Sequence, residues 1–253
     1  MSKQYKALLI DITKCIGCQQ YSVACKAGHQ QPGDPEPTLS ATAFTAIEPR
    51  GEKFVRRMCM HCEDPSCASV CPVGAIVKTA QGAVRYDGHK CIGCRYCMIA
   101  CPFSVPKYEW SKLAPYVTKC DMCAERVLAG KQTLCAEACP TGATTFGNRE
   151  DLLMEAHKRI VENPGTYVAR IYGEKEVGGT SVFYISDVPF EQLGFIEPPM
   201  NQPMPTLSAA ALGEVPTVVT IGGSLLAGLY WFTQRRREVA LAQVAEQDEK
   251  ERN

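Results

Sequence analysis

Three kinds of apolar pattern divide the sequence. Between Val73 and Lys90, VGAIVKTAQGAVRYDGHK, apolar and polar residues alternate on either side of Gln81-Gly82, which predicts a β-hairpin. From Leu152 onward the period changes. Leu152, Leu153, Ala156 and Ile160 fall at helical spacing, so a helix is expected from an Asn148 cap to about Glu162, closed by Asn163-Pro164-Gly165 and packed on the core. The third pattern is an unbroken run: VPTVVTIGGSLLAGLYWFT, Val215 to Thr233, holds 19 residues without a charge. As a helix it would be about 28 Å long, close to the roughly 30 Å of bilayer hydrocarbon. Elsewhere QPGDPEP (31–37) and PFSVPKYEWSKLAP (102–115) read as proline-rich loops able to cover a site or meet a partner. Trp110, with Tyr108 and Tyr116, is either an interface anchor or ordinary packing.

A chain of 253 residues, 45% hydrophobic, can bury a core, and 27 basic against 27 acidic residues give no electrostatic case for nucleic acid. Cysteine changes the picture. Its 15 copies are too many and too grouped for a disulfide framework, and the number is odd. All fall in four motifs: Cys15-x2-Cys18-x2-Tyr21-x3-Cys25; Cys59-x2-Cys62-x4-Cys67-x3-Cys71-Pro72; Cys91-x2-Cys94-x2-Cys97-x3-Cys101-Pro102; and Cys120-x2-Cys123-x11-Cys135-x3-Cys139-Pro140.

The third is the bacterial ferredoxin pattern, in which three close thiolates hold one iron–sulfur cubane and the fourth, before proline, reaches the neighbouring one. A C-x2-C-x2-C loop converges three sulfurs and lets backbone N–H groups point at the cluster, with Gly17 and Gly93 permitting the turn. Zinc is the alternative use of C-x2-C pairs, disfavoured by the threefold recurrence of x3-Cys-Pro. The first motif repeats the third without a gap, sharing Asp11/Asp87, Lys14/Lys90 and the CIGC tetrad, but Tyr21 stands where the third has Cys97.

Motif order suggests the ligand sets. The spacer between motifs two and three matches that of a two-cluster ferredoxin, which gives Cys59, Cys62, Cys67 with Cys101, and Cys71 with Cys91, Cys94, Cys97. Motifs one and four are left to pair around this module: Cys25 with Cys120, Cys123, Cys135, and Cys15, Cys18 with Cys139. Three 4Fe-4S clusters and one altered cluster at Tyr21 are expected. The altered one is read first as 3Fe-4S, which needs only three thiolates. A 4Fe-4S cluster with oxygen ligation from Tyr21 or water ranks second, and loss of the cluster third.

Four such motifs in this order, with CMHCEDPSC, CIGCRYCMIACPF, TKCDMCAERV, CPTGATTFG and YGEKEVGGTSVFYISDVPFEQLGF, resemble the beta subunit of respiratory formate dehydrogenase and the iron–sulfur subunit of hydrogenase-2-type nickel–iron hydrogenases. The resemblance implies an electron-transfer subunit between a catalytic subunit, with a molybdopterin or nickel–iron site, and a quinone-reactive integral membrane subunit, with a cytochrome b among the candidates. It also places the cluster of the first and fourth motifs nearest the catalytic partner. Two other readings stand beside it: the iron–sulfur subunit of another molybdopterin oxidoreductase, and a chain with its own redox chemistry at the Tyr21 site.

No Ser-His-Asp set, phosphate loop or dinucleotide fingerprint is present and every thiol is already assigned, so no catalytic site of its own is expected. His29, His61, His89 and His157 are read as surface or second-layer residues rather than haem or zinc ligands. The chain is thus expected to be α+β: two nested bacterial-ferredoxin-like modules with long loops, plus one C-terminal transmembrane helix. The double ferredoxin-like domain would cover 1–147, with motifs two and three (about 54–105) nested inside motifs one and four. An extension (148–206), a transmembrane helix (207–234) and a tail (235–253) would follow.

In that helix Pro216 would occupy the first turn and Tyr230-Trp231 an interfacial belt, while Gly222, Gly223, Ser224, Ala227 and Gly228 would form a strip for close helix approach. A buried soluble helix is the alternative. No Lys or Arg lies between Glu176 and Gln234, then Arg235-Arg236-Arg237 follow, so the positive-inside rule places the tail in the cytoplasm and the cluster domain on the periplasmic side of the inner membrane. MSKQYKALLID carries no export signal, so export would occur folded, with a partner that bears one.

Overall fold

The computed structural model describes residues 5–110, 116–197 and 200–252, with side chains as far as Ala245. The elements are β1 (Lys6–Asp11), α1 (Gln20–Gly28), β2 (Thr45–Arg50), β3 (Lys53–Met58), α2 (Ser66–Ser69), β4 (Ile76–Lys78), β5 (Val84–Tyr86), α3 (Tyr96–Ala100), β6 (Lys107–Tyr108), β7 (Val117–Thr118), α4 (Ala124–Leu128), α5 (Leu134–Glu137), β8 (Thr144–Asn148), α6 (Arg149–Glu162), β9 (Val182–Ile185) and α7 (Met204–Arg252). They form two compact units, 1–205 and 206–253.

In the first unit β1 is the middle strand of a three-stranded sheet, antiparallel to β8 and parallel to β9. Its period-two pattern serves two cores. Ala7 and Leu9 pack with Leu152 and Ala156 of α6 and with Phe183 and Ile185 of β9. Leu8 and Ile10 face the other way, into the core that also holds Tyr21, Cys59, Cys120 and Cys135. The sheet is therefore a wall between α6 and the cysteine-bearing loops. Three two-stranded hairpins, β2–β3, β4–β5 and β6–β7, complete the strands, and β4–β5 pairs in the Ile76↔Tyr86 register across the Gln81-Gly82 turn.

The α6 helix has the expected span, with Leu152 and Ala156 buried, but Asn148 does not cap it in the expected way. Its Oδ1 accepts from Lys6 Nζ at 2.6 Å and its Nδ2 donates to Asp151 Oδ2 at 2.9 Å, because the residue is also the last of β8 and its side chain is drawn to the neighbouring strand. Residues 148–206 bring β9 into the sheet beside β1. The 31–37 loop is tied to α1 by Lys26, whose Nζ bonds Pro32 O at 2.9 Å and Glu36 Oε1 at 2.8 Å. In the second loop Trp110 is exposed and shares Arg95 with Tyr108, the guanidinium lying 5.1 and 5.3 Å from the two rings. Residues 1–4, the loop's last five residues (111–115), and the side chains of the tail beyond Ala245 lie outside the described residues.

The second unit is one helix. α7 runs 49 residues, well beyond the apolar run, and its Val215, Leu225, Leu226, Trp231 and Phe232 side chains are exposed. By length and composition it can cross a membrane. Pro216 lies in the helix interior rather than in the first turn, which holds Pro205 instead. The Thr220 hydroxyl donates to the Pro216 carbonyl at 2.8 Å, one turn above the proline that cannot itself donate.

Candidate iron–sulfur centres

The repeated loop explains why motifs one and three share more than cysteine. In each, the leading aspartate turns the chain: Asp11 Oδ1 accepts from Thr13 N at 3.1 Å and Asp87 Oδ1 from His89 N at 3.0 Å. The lysine three residues on pairs back, Lys14 with Asp11 at 3.7 Å and Lys90 with Asp87 at 3.8 Å. The CIGC turn then uses two left-handed residues, Gly17 (φ 70°) and Gln19 (φ 61°) in one copy, Gly93 (φ 72°) and Arg95 (φ 63°) in the other. The first loop is folded like the third, although it has lost a cysteine. In the second and fourth motifs the left-handed positions are His61, and Met122 with Cys123, without glycine.

Backbone N–H groups aim at sulfur throughout. Gly93 N lies 3.4 Å from Cys91 Sγ, and Met122 N lies 3.3 Å from Cys120 Sγ. After the Cys-Pro pairs the chain bends so that Ala75 N reaches Cys71 Sγ at 3.2 Å and Val105 N reaches Cys101 Sγ at 3.5 Å. Burial opposes it, but the backbone N–H groups of Thr144, Thr141 and Ala143, with the Thr141 hydroxyl, hold the Cys139 thiol below its ordinary value.

The thiols gather in four places. Cys71, Cys91, Cys94 and Cys97 line one cavity with Ile76, Tyr86 and Val117. Cys59, Cys62, Cys67 and Cys101 converge in a second place, where burial and then Cys59, Cys101 and Cys67 push the Cys62 thiol well up. Cys120 is brought beside Cys25 and Cys135, and Cys123 beside Cys135; burial first, then these neighbours, raise both thiols, Cys123 to about 11. Cys15, Cys18 and Cys139 share the fourth place, lining one cavity with Tyr21 and Arg56. Buried thiols that raise one another's pKa ionise readily only beside a polyvalent cation, and a cubane's irons supply that charge; this donor chemistry fits iron–sulfur centres.

The four places adjoin one another in series. Cys67 neighbours Cys97, Cys59 neighbours Cys120, and Arg56 lies beside both Cys135 and Tyr21. Reading along it, the order is Cys71/91/94/97, Cys59/62/67/101, Cys25/120/123/135, Cys15/18/139.

At the last of these, the Tyr21 ring is buried and its hydroxyl has no hydrogen-bond partner. Burial, only partly offset by Arg56, drives its pKa far above the usual phenol value.

Known proteins decide what kind of chain this is. Residues 52–149 match the 4Fe-4S dicluster domain. A protein of Nitratidesulfovibrio vulgaris is 39% identical over 96% of this chain and 71% of its own length. The hydrogenase-2 operon protein HybA of Escherichia coli O157:H7 is 36% identical over 74% of this chain and 71% of its own. The iron–sulfur subunit of the nitrate-inducible formate dehydrogenase of Escherichia coli K12 is 38% identical over 72% of this chain and 69% of its own. The chain belongs to this family of iron–sulfur subunits. It is an electron-transfer protein of ferredoxin type.

Within this iron–sulfur subunit several residues that surround the thiols carry no signature in the sequence. Arg56 and Lys119 are buried cations; Lys119 Nζ bonds Cys120 O at 2.8 Å and Val84 O, and lies 3.9 Å from Cys59 Sγ. Of the histidines, His29 links two motifs, its Nε2 3.1 Å from Asp121 Oδ1 and its Nδ1 3.7 Å from Cys25 Sγ. The ligand atoms of His29, Asp121 and Cys123 lie within 4.8 Å of one another. The Asp121 carboxylate, followed by Cys25, raises the His29 imidazole to about 11. His61 is fully buried and accepts from Val84 N at 2.9 Å, whereas His89 is exposed and His157 pairs at the surface with Glu174 at 2.9 Å. Their common signal is position: His61 and Asp121 sit inside C-x2-C loops, and Arg56 and Lys119 sit just before such loops.

Proposed function

We propose that the subunit is a four-cluster electron wire with no catalytic site of its own. The serial adjacency of four thiol-gathering sites carries this reading, because electrons tunnel between neighbouring centres and each site has a neighbour. Cys59, Cys62, Cys67 and Cys101 hold one 4Fe-4S cluster, Cys71, Cys91, Cys94 and Cys97 a second, Cys25, Cys120, Cys123 and Cys135 a third. Cys15, Cys18 and Cys139 hold an altered cluster of 3Fe-4S type, with the Tyr21 phenol beside the missing corner. The clusters supply one-electron chemistry; the chain supplies the thiolates, the N–H groups aimed at sulfur and the exclusion of water.

The altered site forms the end that faces a catalytic subunit with a molybdopterin or nickel–iron centre, and the Cys71/91/94/97 site the end that faces a quinone-reactive membrane subunit. α7 spans the inner membrane once, with Arg235-Arg236-Arg237 and the tail in the cytoplasm and the cluster unit in the periplasm. Support comes from the length and apolarity of the helix and from the iron–sulfur subunits of formate dehydrogenase to which the chain is similar.

The decisive experiment uses the assembled complex. Cys97→Ser should impair electron flow from donor to quinone and leave the catalytic partner's activity with an artificial dye intact. Equal loss of both activities would sink the wire reading.

A further inference from the structure

Arg56 is a buried cation without an anion. It stands on β3 opposite Ile47 and is 2% exposed. Its Nε donates to Thr45 Oγ1 at 2.9 Å and its Nη1 to Thr144 Oγ1 at 3.2 Å, and the Tyr184 hydroxyl donates to its carbonyl at 2.9 Å. Hydroxyls orient a guanidinium but do not neutralise it. Among the described residues no carboxylate pairs with it, whereas the buried Lys26 has Glu36. An unpaired buried charge is strongly destabilising, so a chain that keeps one is expected to meet it with negative charge.

That charge is at hand on two sides. The guanidinium lines the cavity of Cys15, Cys18 and Cys139, with Tyr21 stacked beneath it at 4.3 Å, and it also lies beside Cys135. Thiolate-ligated clusters are net anions, and each becomes more negative by one charge when it accepts an electron. A fixed cation close by therefore stabilises the reduced form more than the oxidised form.

We propose that Arg56 is the shared counter-cation of two neighbouring clusters, those of Cys15/Cys18/Cys139 and Cys25/Cys120/Cys123/Cys135, and that it raises the reduction potential of both. It acts through the clusters' field and is a positioning residue, not a ligand. Its stack on Tyr21 also gives the phenol a fixed place where the third motif has a thiol. The inference rests on the ligand sets proposed above and adds to them a term for the electron's energy along the line: the half of the wire that ends at Tyr21 is held electron-attracting relative to what its thiolates alone would give.

The test is a redox titration followed by electron paramagnetic resonance on the full subunit in its complex, with iron and sulfide counted in each sample. Arg56→Met should keep its iron and move the midpoints of two clusters to more negative potential, by at least the ~59 mV that corresponds to a tenfold change in a one-electron equilibrium, while the other two stay. Arg56→Lys, which keeps the charge and loses the planar fork, should retain the native midpoints. Full iron in Arg56→Met with unmoved midpoints, or all four moving alike, overturns the proposal. So does an Arg56→Lys shift as large as that of Arg56→Met. Should Arg56→Met lose iron, Arg56→Lys decides: native iron and midpoints support the counter-charge, and iron loss there too overturns it. A native subunit without iron at these cysteines overturns the ligand sets themselves, and is told apart by the iron count.

Discussion

The ring of Phe54 closes over Gly17: a Cβ at that position would lie 2.6 Å from Phe54 Cδ1. Gly17 also has φ of +70°, a backbone conformation that costs an L-residue about 1–2 kcal/mol. Gly93, its counterpart, shares the backbone (φ +72°), but a Cβ there meets only the Tyr108 hydroxyl at 3.2 Å. Gly17→Ala should therefore harm its loop more than Gly93→Ala harms the third motif. Thermal unfolding with iron counting checks this ordering, and equal losses would show that Phe54 yields freely.

Tyr21→Cys restores the third thiol to a loop whose backbone already matches the complete one. The variant should gain one iron per chain and lose the paramagnetic signal that a 3Fe-4S centre gives when oxidised. Iron content that does not change, with no such signal in the native protein either, would favour oxygen ligation of a complete cubane.

Glu36 answers to acid. Burial works against its charged form, but the Lys26 ammonium and the hydroxyls of Ser40 and Thr42 outweigh that and hold its pKa below the ordinary 4.5. A depressed carboxylate contributes stability that is fully present above its unfolded pKa and is lost as pH falls through the folded value. Amide protection in the 31–42 loop, corrected for the intrinsic exchange rate, should thus fall as acid takes the pH below the ordinary glutamate value. In Glu36→Gln that acid step should vanish and exchange should be faster at neutral pH, where Lys26 is left without its anion.

Removing residues 206–253 cuts at the boundary between the two units. The shortened chain should keep its iron and be freed from the membrane or assemble poorly. Protease added to spheroplasts should reach the cluster unit and spare the tail beyond Arg237; the reverse pattern would turn the topology over.

What could be read in the sequence was what is local. The C-x2-C loops, the β4–β5 hairpin, the span of α6 and the apolar run all depend on residues within about twenty positions of one another, and cysteine spacing, turn chemistry and periodicity report on that range. Asn148 and Pro216 show where local rules stop: the first is claimed by a strand neighbour at Lys6, the second is carried inside a helix that starts at Met204. Less legible still was whatever joins distant segments. The parallel pairing of β1 with β9 links Leu8 to Val182, and the cation beside Tyr21 comes from β3. The first Arg of KFVRRM looks like any surface arginine until the fold buries it.

The middle position of β1 sets an order of assembly. Its two neighbours, β8 and β9, lie more than 130 and 170 residues downstream. On a ribosome the nested motifs, complete by Cys101, emerge with every thiol of their own two sites in hand. Those of the outer pair must wait for Cys135 and Cys139, and the strand before Cys15 stays unpaired until β8 and β9 have followed. The site that holds Tyr21 is thus the last to close, and a chain released early would have the inner two thiol sites complete and the outer two open.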